Sequence, residues 1–167
     1  MTQSHDIAGL IDQMAEQLRE CIEFNETTVM VGIHTGGVWV ARALLEKLNI
    51  QEPLGVLDIY FYRDDFTRIG MNPQVKPSEL PFSLDDRNII LVDDVLHTGR
   101  TIRAAMNELF DYGRPASITL VTLIERGGRE LPIEAGIVGL HMKLDSSEHV
   151  KLTGPEPLQL EIQQAGD

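Results

Sequence analysis

The stretch Ile89-Ile90-Leu91-Val92-Asp93-Asp94-Val95-Leu96-His97-Thr98-Gly99-Arg100-Thr101 contains the features that decide the fold. Its first four residues are apolar, which predicts a strand buried on both faces, as in the middle of a parallel sheet. Residues 101–110 predict a helix, which Gly113 and Pro115 end. The chain therefore passes from a buried strand through a polar turn into a helix.

The polar residues of this turn have the chemistry of a ribose 5-phosphate site. Charged groups are costly to bury without partners, and Asp93 and Asp94 are suited to accept hydrogen bonds from vicinal hydroxyls or to hold the shell of a divalent cation. Backbone N–H groups at a helix start bind phosphate, and Gly99 permits its close approach. The structural alternative is that the two aspartates merely end a strand and that Thr98 caps a helix.

Strands and helices alternate on both sides of this stretch, which predicts right-handed βαβ units and a parallel sheet. Ligands in such folds bind beyond the carboxyl ends of the strands, so three segments are candidates, at 34–37, 63–83 and 93–101. The other predicted elements are helices at about 4–24 and 38–48, and strands at 28–33, 55–62 and 117–124.

Two parts of the chain lack a clear periodic pattern. Residues 63–83 contain Gly70 and three prolines, a composition typical of a functional loop or of a disordered one. The chain after Glu125 predicts a peripheral hood and a C-terminal extension, in which residues 158–162 alternate as a short strand does. We therefore predict a single domain over residues 1–167, with its core at about 4–124 and the hood and extension at about 125–167.

Composition narrows the classes of protein further. The chain has 167 residues, of which 43% are hydrophobic and 24% charged, values that argue against disorder. Its net charge of −12 disfavours non-specific nucleic-acid binding, although residues 100–129 carry five basic and three acidic groups. The chain shows neither a signal peptide nor an apolar run long enough for a membrane span, and Cys21 is the only cysteine. These features predict a cytoplasmic protein.

Three further motifs accompany the opening stretch: Tyr62-Arg63-Asp64-Asp65, Gly113-Arg114-Pro115-Ala116-Ser117-Ile118 and Arg126-Gly127-Gly128-Arg129-Glu130-Leu131-Pro132-Ile133. Together, over roughly residues 5–152, they resemble the PyrR family of type I phosphoribosyltransferases. That family combines attenuation of pyrimidine operons with uracil phosphoribosyltransferase activity. The resemblance implies an α/β type I phosphoribosyltransferase fold, with a mainly parallel central sheet, flanking helices, a flexible loop and a small hood.

The resemblance also implies a set of site residues. Asp93 and Asp94 would hold the ribose hydroxyls of phosphoribosyl pyrophosphate (PRPP) and, through them, Mg²⁺. Arg63, in the flexible loop, would help to neutralise the departing pyrophosphate. The remaining PRPP-binding residues would be Thr35, Gly36 and Gly37 in the pyrophosphate loop, and Val95, Leu96, His97, Thr98, Gly99, Arg100 and Thr101 in the PRPP motif, with His97 to Thr101 at the 5′-phosphate.

The implied reaction converts uracil and PRPP to UMP and pyrophosphate in a homodimer or larger assembly, with a role in regulating pyrimidine genes. Arg126 and Arg129 would contact pyr leader RNA. Gly128 replaces the family's histidine, and residues 140–147 replace its usual hood segment, so two alternatives stay open. One is a nucleotide-sensing regulator with little or no catalysis. The other is a phosphoribosyltransferase for another base, with His97 either contacting that base or facing solvent.

Overall fold

The structure is a computed structural model that describes residues 5–59 and 78–164. Its helices are α1 (Ile7–Cys21), α2 (Gly36–Leu48) and α3 (Arg100–Tyr112). Its strands are β1 (Thr28–Ile33), β2 (Gly55–Leu57), β3 (Asn88–Leu96), β4 (Ser117–Arg126), β5 (Ile137–Met142), β6 (Glu148–Thr153) and β7 (Gln159–Gln164). The first five strands form a parallel sheet in the order β2-β1-β3-β4-β5, and β6 and β7 form an antiparallel hairpin. The predicted α/β fold with a central parallel sheet is confirmed.

Both faces of the central sheet are covered, which explains why β1 and β3 are continuously apolar. Alternate side chains of β3 enter two separate cores. Ile90 and Val92 pack with residues of α1, α2 and the β6–β7 hairpin, whereas Ile89 and Leu91 pack with residues of α3. The sheet therefore holds the end of β3 rigidly from both sides.

The structure differs from the sequence-based boundaries at β3. The strand continues through the two aspartates to Leu96, with Asp93 opposite Thr122 and Leu96 opposite Glu125 in β4. The sequence predicts that residues 93–101 form a turn, but backbone hydrogen bonds to β4 extend the strand regardless of the charge on its side chains. The turn therefore begins only at His97, and the carboxylates project from a strand held by its neighbour.

The structure also corrects the expectation for the chain after Glu125. The strand β5 joins the central sheet beside β4, with Val121 opposite Ile137 and Ile124 opposite Leu140, instead of forming part of a peripheral hood. Only its first residue is fully buried, so its sequence lacks the continuous apolar run of the inner strands. The predicted short strand near the C-terminus is present as β7.

Two other boundaries differ. The helix α2 starts at Gly36, two residues earlier than expected, so the glycines predicted as a turn form its first residues. The strand β2 spans only Gly55–Leu57. The predicted remainder of that strand beyond residue 59, and the segment 63–77 of the predicted loop, lie outside the described residues. No helix in the described ranges has the length and apolar character needed to cross a membrane.

Candidate functional site

The structure brings two of the three predicted segments, 34–37 and 93–101, to one edge of the sheet. The segment that contains Thr35 follows β1, the acidic pair lies near the end of β3, and the turn at Thr98 leads from β3 into α3. Because β1 and β3 are adjacent and parallel, their carboxyl ends lie side by side. This edge is where ligands bind in open α/β sheets.

The two aspartates are held by the main chain around them. Asp93 is 5% exposed, and its Oδ1 accepts a hydrogen bond of 2.8 Å from the backbone N–H of Asp94. Asp94 is partly exposed, and its Oδ1 accepts from the N–H of Val95, also at 2.8 Å. Both carboxylates are therefore oriented before any ligand arrives.

Two glycines bring the start of α2 into contact with this acidic pair. A Cβ atom on Gly36 would lie 2.7 Å from Cγ of Asp94, and a Cβ on Gly37 would lie 2.6 Å from the carbonyl oxygen of Val92. The same Cβ would lie 3.0 Å from Cα of Asp93. Both positions therefore need glycine, and the predicted pyrophosphate loop adjoins the predicted ribose site. The peptide bond just before this segment, between His34 and Thr35, is cis.

The start of α3 has the features of a phosphate cradle. Gly99 is the N-cap, with φ of +93°, a conformation that side chains rarely adopt. No side chain of the cap bonds to the helix, and its first turn contains no acidic residue. Gly99 occupies the cap position, but Oγ1 of Thr98 accepts a 3.2 Å hydrogen bond from the N–H of Arg100, the first residue of the helix, so the alternative that Thr98 caps the helix holds in part. An anion at this helix end would meet backbone N–H groups and the positive end of the helix dipole.

The side chains of two residues in the predicted PRPP motif pack in the hydrophobic cores. Leu96 is 1% exposed and packs with residues of α3, whereas Val95 packs on the opposite side of the sheet. Their side chains anchor the motif, so any ligand contact by the fully buried Leu96 must come from its main chain. Thr101 is exposed in the first turn of α3.

His97 is exposed at the start of the turn, with its ring against the backbone of Gly128. A Cβ on Gly128 would lie 2.9 Å from Nε2 of the ring. Partial burial, together with the charges of Arg126, His149 and Arg129, lowers the pKa of His97, while Glu130 opposes the shift. The imidazole is therefore predominantly neutral at neutral pH.

The two arginines predicted to contact RNA are both engaged within the chain. Arg126 is 4% exposed, and its guanidinium donates to the carbonyl oxygens of Glu148 at 2.7 Å and Asp145 at 3.2 Å. Its Nε is buried without a partner. Arg129 is half-buried and forms an ion pair with Glu125. The placement of Arg126 does not support an RNA contact.

Sequence reasoning did not anticipate the role of Glu125, whose two carboxylate oxygens bond to different residues. One accepts from Arg129, and the other lies 2.9 Å from Nδ1 of His141. Burial raises the pKa of Glu125, but the hydrogen bonds from Arg129 and His141 outweigh it and hold the pKa below its ordinary value. The sequence feature that could have indicated this role is the position of the acid directly before the Arg-Gly-Gly-Arg motif.

Arg63, the other predicted catalytic residue, lies outside the described residues.

Comparisons with known proteins identify the family. The Phosphoribosyl transferase domain family matches residues 1–155. The Bifunctional protein PyrR of Nitrosococcus oceani is 64% identical over 157 residues, which cover 93% of this chain and 85% of that protein. The Bifunctional protein PyrR of Pseudomonas aeruginosa is 58% identical over 156 residues, which cover 92% of each chain. The chain belongs to the PyrR family.

Solved structures agree on the fold of this PyrR-family chain. A hypoxanthine-guanine phosphoribosyltransferase from Bacillus anthracis superposes with a TM-score of 0.66 at 17% identity, covering 85% of this chain and 80% of that one. A hypoxanthine phosphoribosyltransferase from Staphylococcus aureus has a TM-score of 0.66 at 21% identity, covering 90% and 79%. The predicted type I phosphoribosyltransferase fold is confirmed, as is the expectation of a bifunctional PyrR-type phosphoribosyltransferase at the level of the family.

Proposed function

We propose that this chain transfers the ribose 5-phosphate group of PRPP to uracil, giving UMP and pyrophosphate, and that it also takes part in regulating pyrimidine genes. One observation carries the proposal. The carboxyl edge of the sheet brings together two oriented carboxylates, the start of α2 with its two glycines, and the start of α3, whose N-cap is Gly99. This arrangement matches the sequence of groups in PRPP, which are pyrophosphate, a diol and a 5-phosphate.

Each part of the site has a separate task in this proposal. Asp93 and Asp94 accept hydrogen bonds from the ribose hydroxyls and favour the positive charge that develops on the ring as pyrophosphate leaves. The segment 35–37 supports the pyrophosphate, and the start of α3 binds the 5′-phosphate. Arg63 neutralises charge on the leaving group.

The donor set near the acidic pair fits Mg²⁺ held indirectly. Carboxylate oxygens are ligands that Mg²⁺ prefers, and this ion usually keeps several waters or substrate oxygens in its shell. Within residues 5–59 and 78–164, no group of three or more acidic, histidine or cysteine side chains forms a cation cage. As expected for the family, Asp93 and Asp94 would hold Mg²⁺ through the ribose hydroxyls. When bound, the ion would neutralise charge on the pyrophosphate.

The regulatory part of the proposal follows from the family. Because Arg126 is buried and Arg129 is paired, their side chains are poorly placed for direct RNA contact. A cytoplasmic location is consistent with the single cysteine, Cys21. A homodimer or larger assembly stays a prediction, which light scattering would test.

The deciding assay measures pyrophosphate release from PRPP and Mg²⁺ with uracil, hypoxanthine, guanine, orotate or no base. We expect release with uracil, and we expect the double variant Asp93→Asn, Asp94→Asn to abolish it. The exposed Asp111→Asn serves as the matched control for loss of acidic charge and should retain activity. Release with another base instead of uracil would identify that base as the substrate. No release with any base, while UMP or PRPP still binds, would leave the nucleotide sensor as the function.

A further inference from the structure

The segment that follows β4 lies directly on the turn that forms the phosphate cradle. The backbone N–H groups of Glu130 and Leu131 both donate to the carbonyl oxygen of Thr98, at 2.9 and 3.2 Å. The side chain of Glu130 accepts a 2.9 Å hydrogen bond from Nε of Arg100. The cradle is therefore held from outside by residues about thirty positions further along the chain.

Arg129 contacts the start of this turn through its side chain. Its Nη1 donates to the carbonyl oxygen of His97, the residue directly before Thr98, and also to that of Arg126 at 3.3 Å. Its Nη2 donates to Oε1 of Glu125, at the end of β4. One guanidinium thus joins the turn after β3 to the end of β4.

The environment of this guanidinium restricts its movement. The side chains of Arg129 and Glu125 are only 25% and 18% exposed, and the second oxygen of Glu125 lies against Nδ1 of His141. A planar guanidinium presents its donors in a rigid fork, so bonds to a carboxylate and to two carbonyls define its position. Lysine, with a compact ammonium group, cannot reproduce this geometry.

We infer that Arg129 is a positioning residue for the 5′-phosphate cradle, acting through the main-chain carbonyl of His97. The inference rests on the proposed function. A cradle built from backbone N–H groups binds phosphate well only if those groups are oriented in advance, because reorientation costs free energy at the moment of binding. The carbonyl that Arg129 holds lies two residues before Gly99, the N-cap of the helix that forms the cradle.

This role predicts a selective effect on ligands. Loss of the guanidinium should weaken binding of UMP and PRPP, since both present a 5′-phosphate to the start of α3. Binding of Mg²⁺-pyrophosphate should be preserved, since its segment at 35–37 packs against Asp94, whereas the hydrogen bonds of Arg129 run to His97, Arg126 and Glu125. The expected weakening is on the order of tenfold to a hundredfold, the range for losing one or two charge-assisted hydrogen bonds.

The test compares Arg129→Gln and Arg129→Lys with the wild-type chain by calorimetric titration of UMP and of Mg²⁺-pyrophosphate. The exposed Arg42→Gln on α2 is the matched control for loss of one arginine. We expect both Arg129 variants to lose affinity for UMP, with a rise in the KM for PRPP, while their pyrophosphate affinity and Arg42→Gln stay at wild-type values. Circular dichroism verifies that each variant is folded.

Glu125→Gln supplies a second, independent route, because it keeps the side-chain shape and removes the charge that holds Arg129. Its UMP affinity should fall in the same direction, and combining it with Arg129→Gln should add little, as expected for residues that act as a unit. If Arg129→Gln does not fold, Arg129→Lys and Glu125→Gln give the answer.

Four results would overturn the inference. Wild-type affinity for UMP in folded Arg129→Gln would show that the cradle does not depend on the guanidinium. Equal losses for UMP and pyrophosphate would indicate general disorder of the site instead of positioning. Unchanged catalysis with loss of binding to a pyr leader RNA would make Arg129 an RNA contact. If the wild-type chain itself binds neither UMP nor PRPP, the proposed function fails first and the inference falls with it.

Discussion

Adjacent glycines at the start of α2 should respond to the same substitution in different ways. A Cβ on Gly37 meets the main chain of β3, at 2.6 Å from the carbonyl oxygen of Val92 and 3.0 Å from Cα of Asp93. A Cβ on Gly36 meets instead the side chain of Asp94, at 2.7 Å from its Cγ. We therefore expect Gly37→Ala to damage stability and Gly36→Ala to damage activity.

The expected loss of stability in Gly37→Ala follows from overpacking against an inner strand. Because the main chain of β3 is hydrogen-bonded on both sides, it cannot move away, and such overpacking costs roughly 1–3 kcal/mol. Replacing glycine also lowers the entropy of the unfolded chain, which offsets about 0.4–1 kcal/mol. The central values of the two terms leave a net loss of about 1–2 kcal/mol; for a domain of this size each kcal/mol shifts Tm by about 2–4 °C, so we expect Tm to fall by roughly 2–8 °C.

The expected loss of activity in Gly36→Ala follows from displacement of the Asp94 carboxylate. The added Cβ would lie 2.7 Å from Cγ of Asp94, whereas an ordinary contact needs 3.4–4 Å. The Cγ must therefore move by about 0.7–1.3 Å. A side chain can make this movement by rotation, at a cost of about 0.5–1.5 kcal/mol that the gain from replacing glycine largely offsets. A misplacement of about 1 Å at a catalytic group can lower the rate on the order of a hundredfold.

The assay pairs thermal unfolding, followed by circular dichroism, with the initial rate of uracil-dependent pyrophosphate release. Gly36→Ala should keep Tm close to that of the wild type and lose most of its rate. Gly37→Ala should unfold at a lower temperature. Full activity in Gly36→Ala, or a wild-type Tm in Gly37→Ala, would refute the reasoning, because either result would mean that the close approach of α2 to β3 is not required.

Two further substitutions test the phosphate turn. Gly99→Ala forces a side chain into a backbone with φ of +93° and places its Cβ 3.3 Å from Cβ of Ile133. We therefore expect the free energy of unfolding to fall by about 1–2 kcal/mol, measured by thermal unfolding, and UMP binding to weaken. An unchanged Tm would contradict the conformation of Gly99. Burial and the neighbouring Arg126 lower the pKa of His97 from 6.5, so the folded chain binds this proton less readily than the unfolded chain does. The stability that depends on neutral His97 is present above that value and is lost as pH falls through the lower folded pKa. His97→Gln should therefore lose less Tm than the wild type between about pH 7.5 and 5.5, and parallel Tm curves would show that the histidine does not contribute.

The sequence alone predicted those features that depend on neighbours along the chain. An apolar run predicts the inner strand at Ile89, and helical spacing predicts α1 and α3 near their observed limits. The aspartates, Gly99 and the start of α3 belong to one continuous motif, so their ribose-phosphate chemistry and their family could be inferred without any knowledge of the fold.

Tertiary structure alone decided the features that depend on contacts between distant residues. The strand β5 joins the central sheet although only one of its residues is fully buried, because its place depends on pairing with β4. Arg126 and Arg129 belong to the same short motif, yet Arg126 is buried and bonds to the carbonyls of Asp145 and Glu148, whereas Arg129 bonds to a carbonyl 32 positions away. A motif specifies which groups a chain offers, whereas hydrogen-bond partners and burial depend on which segments the fold brings together, and that is not encoded in local spacing.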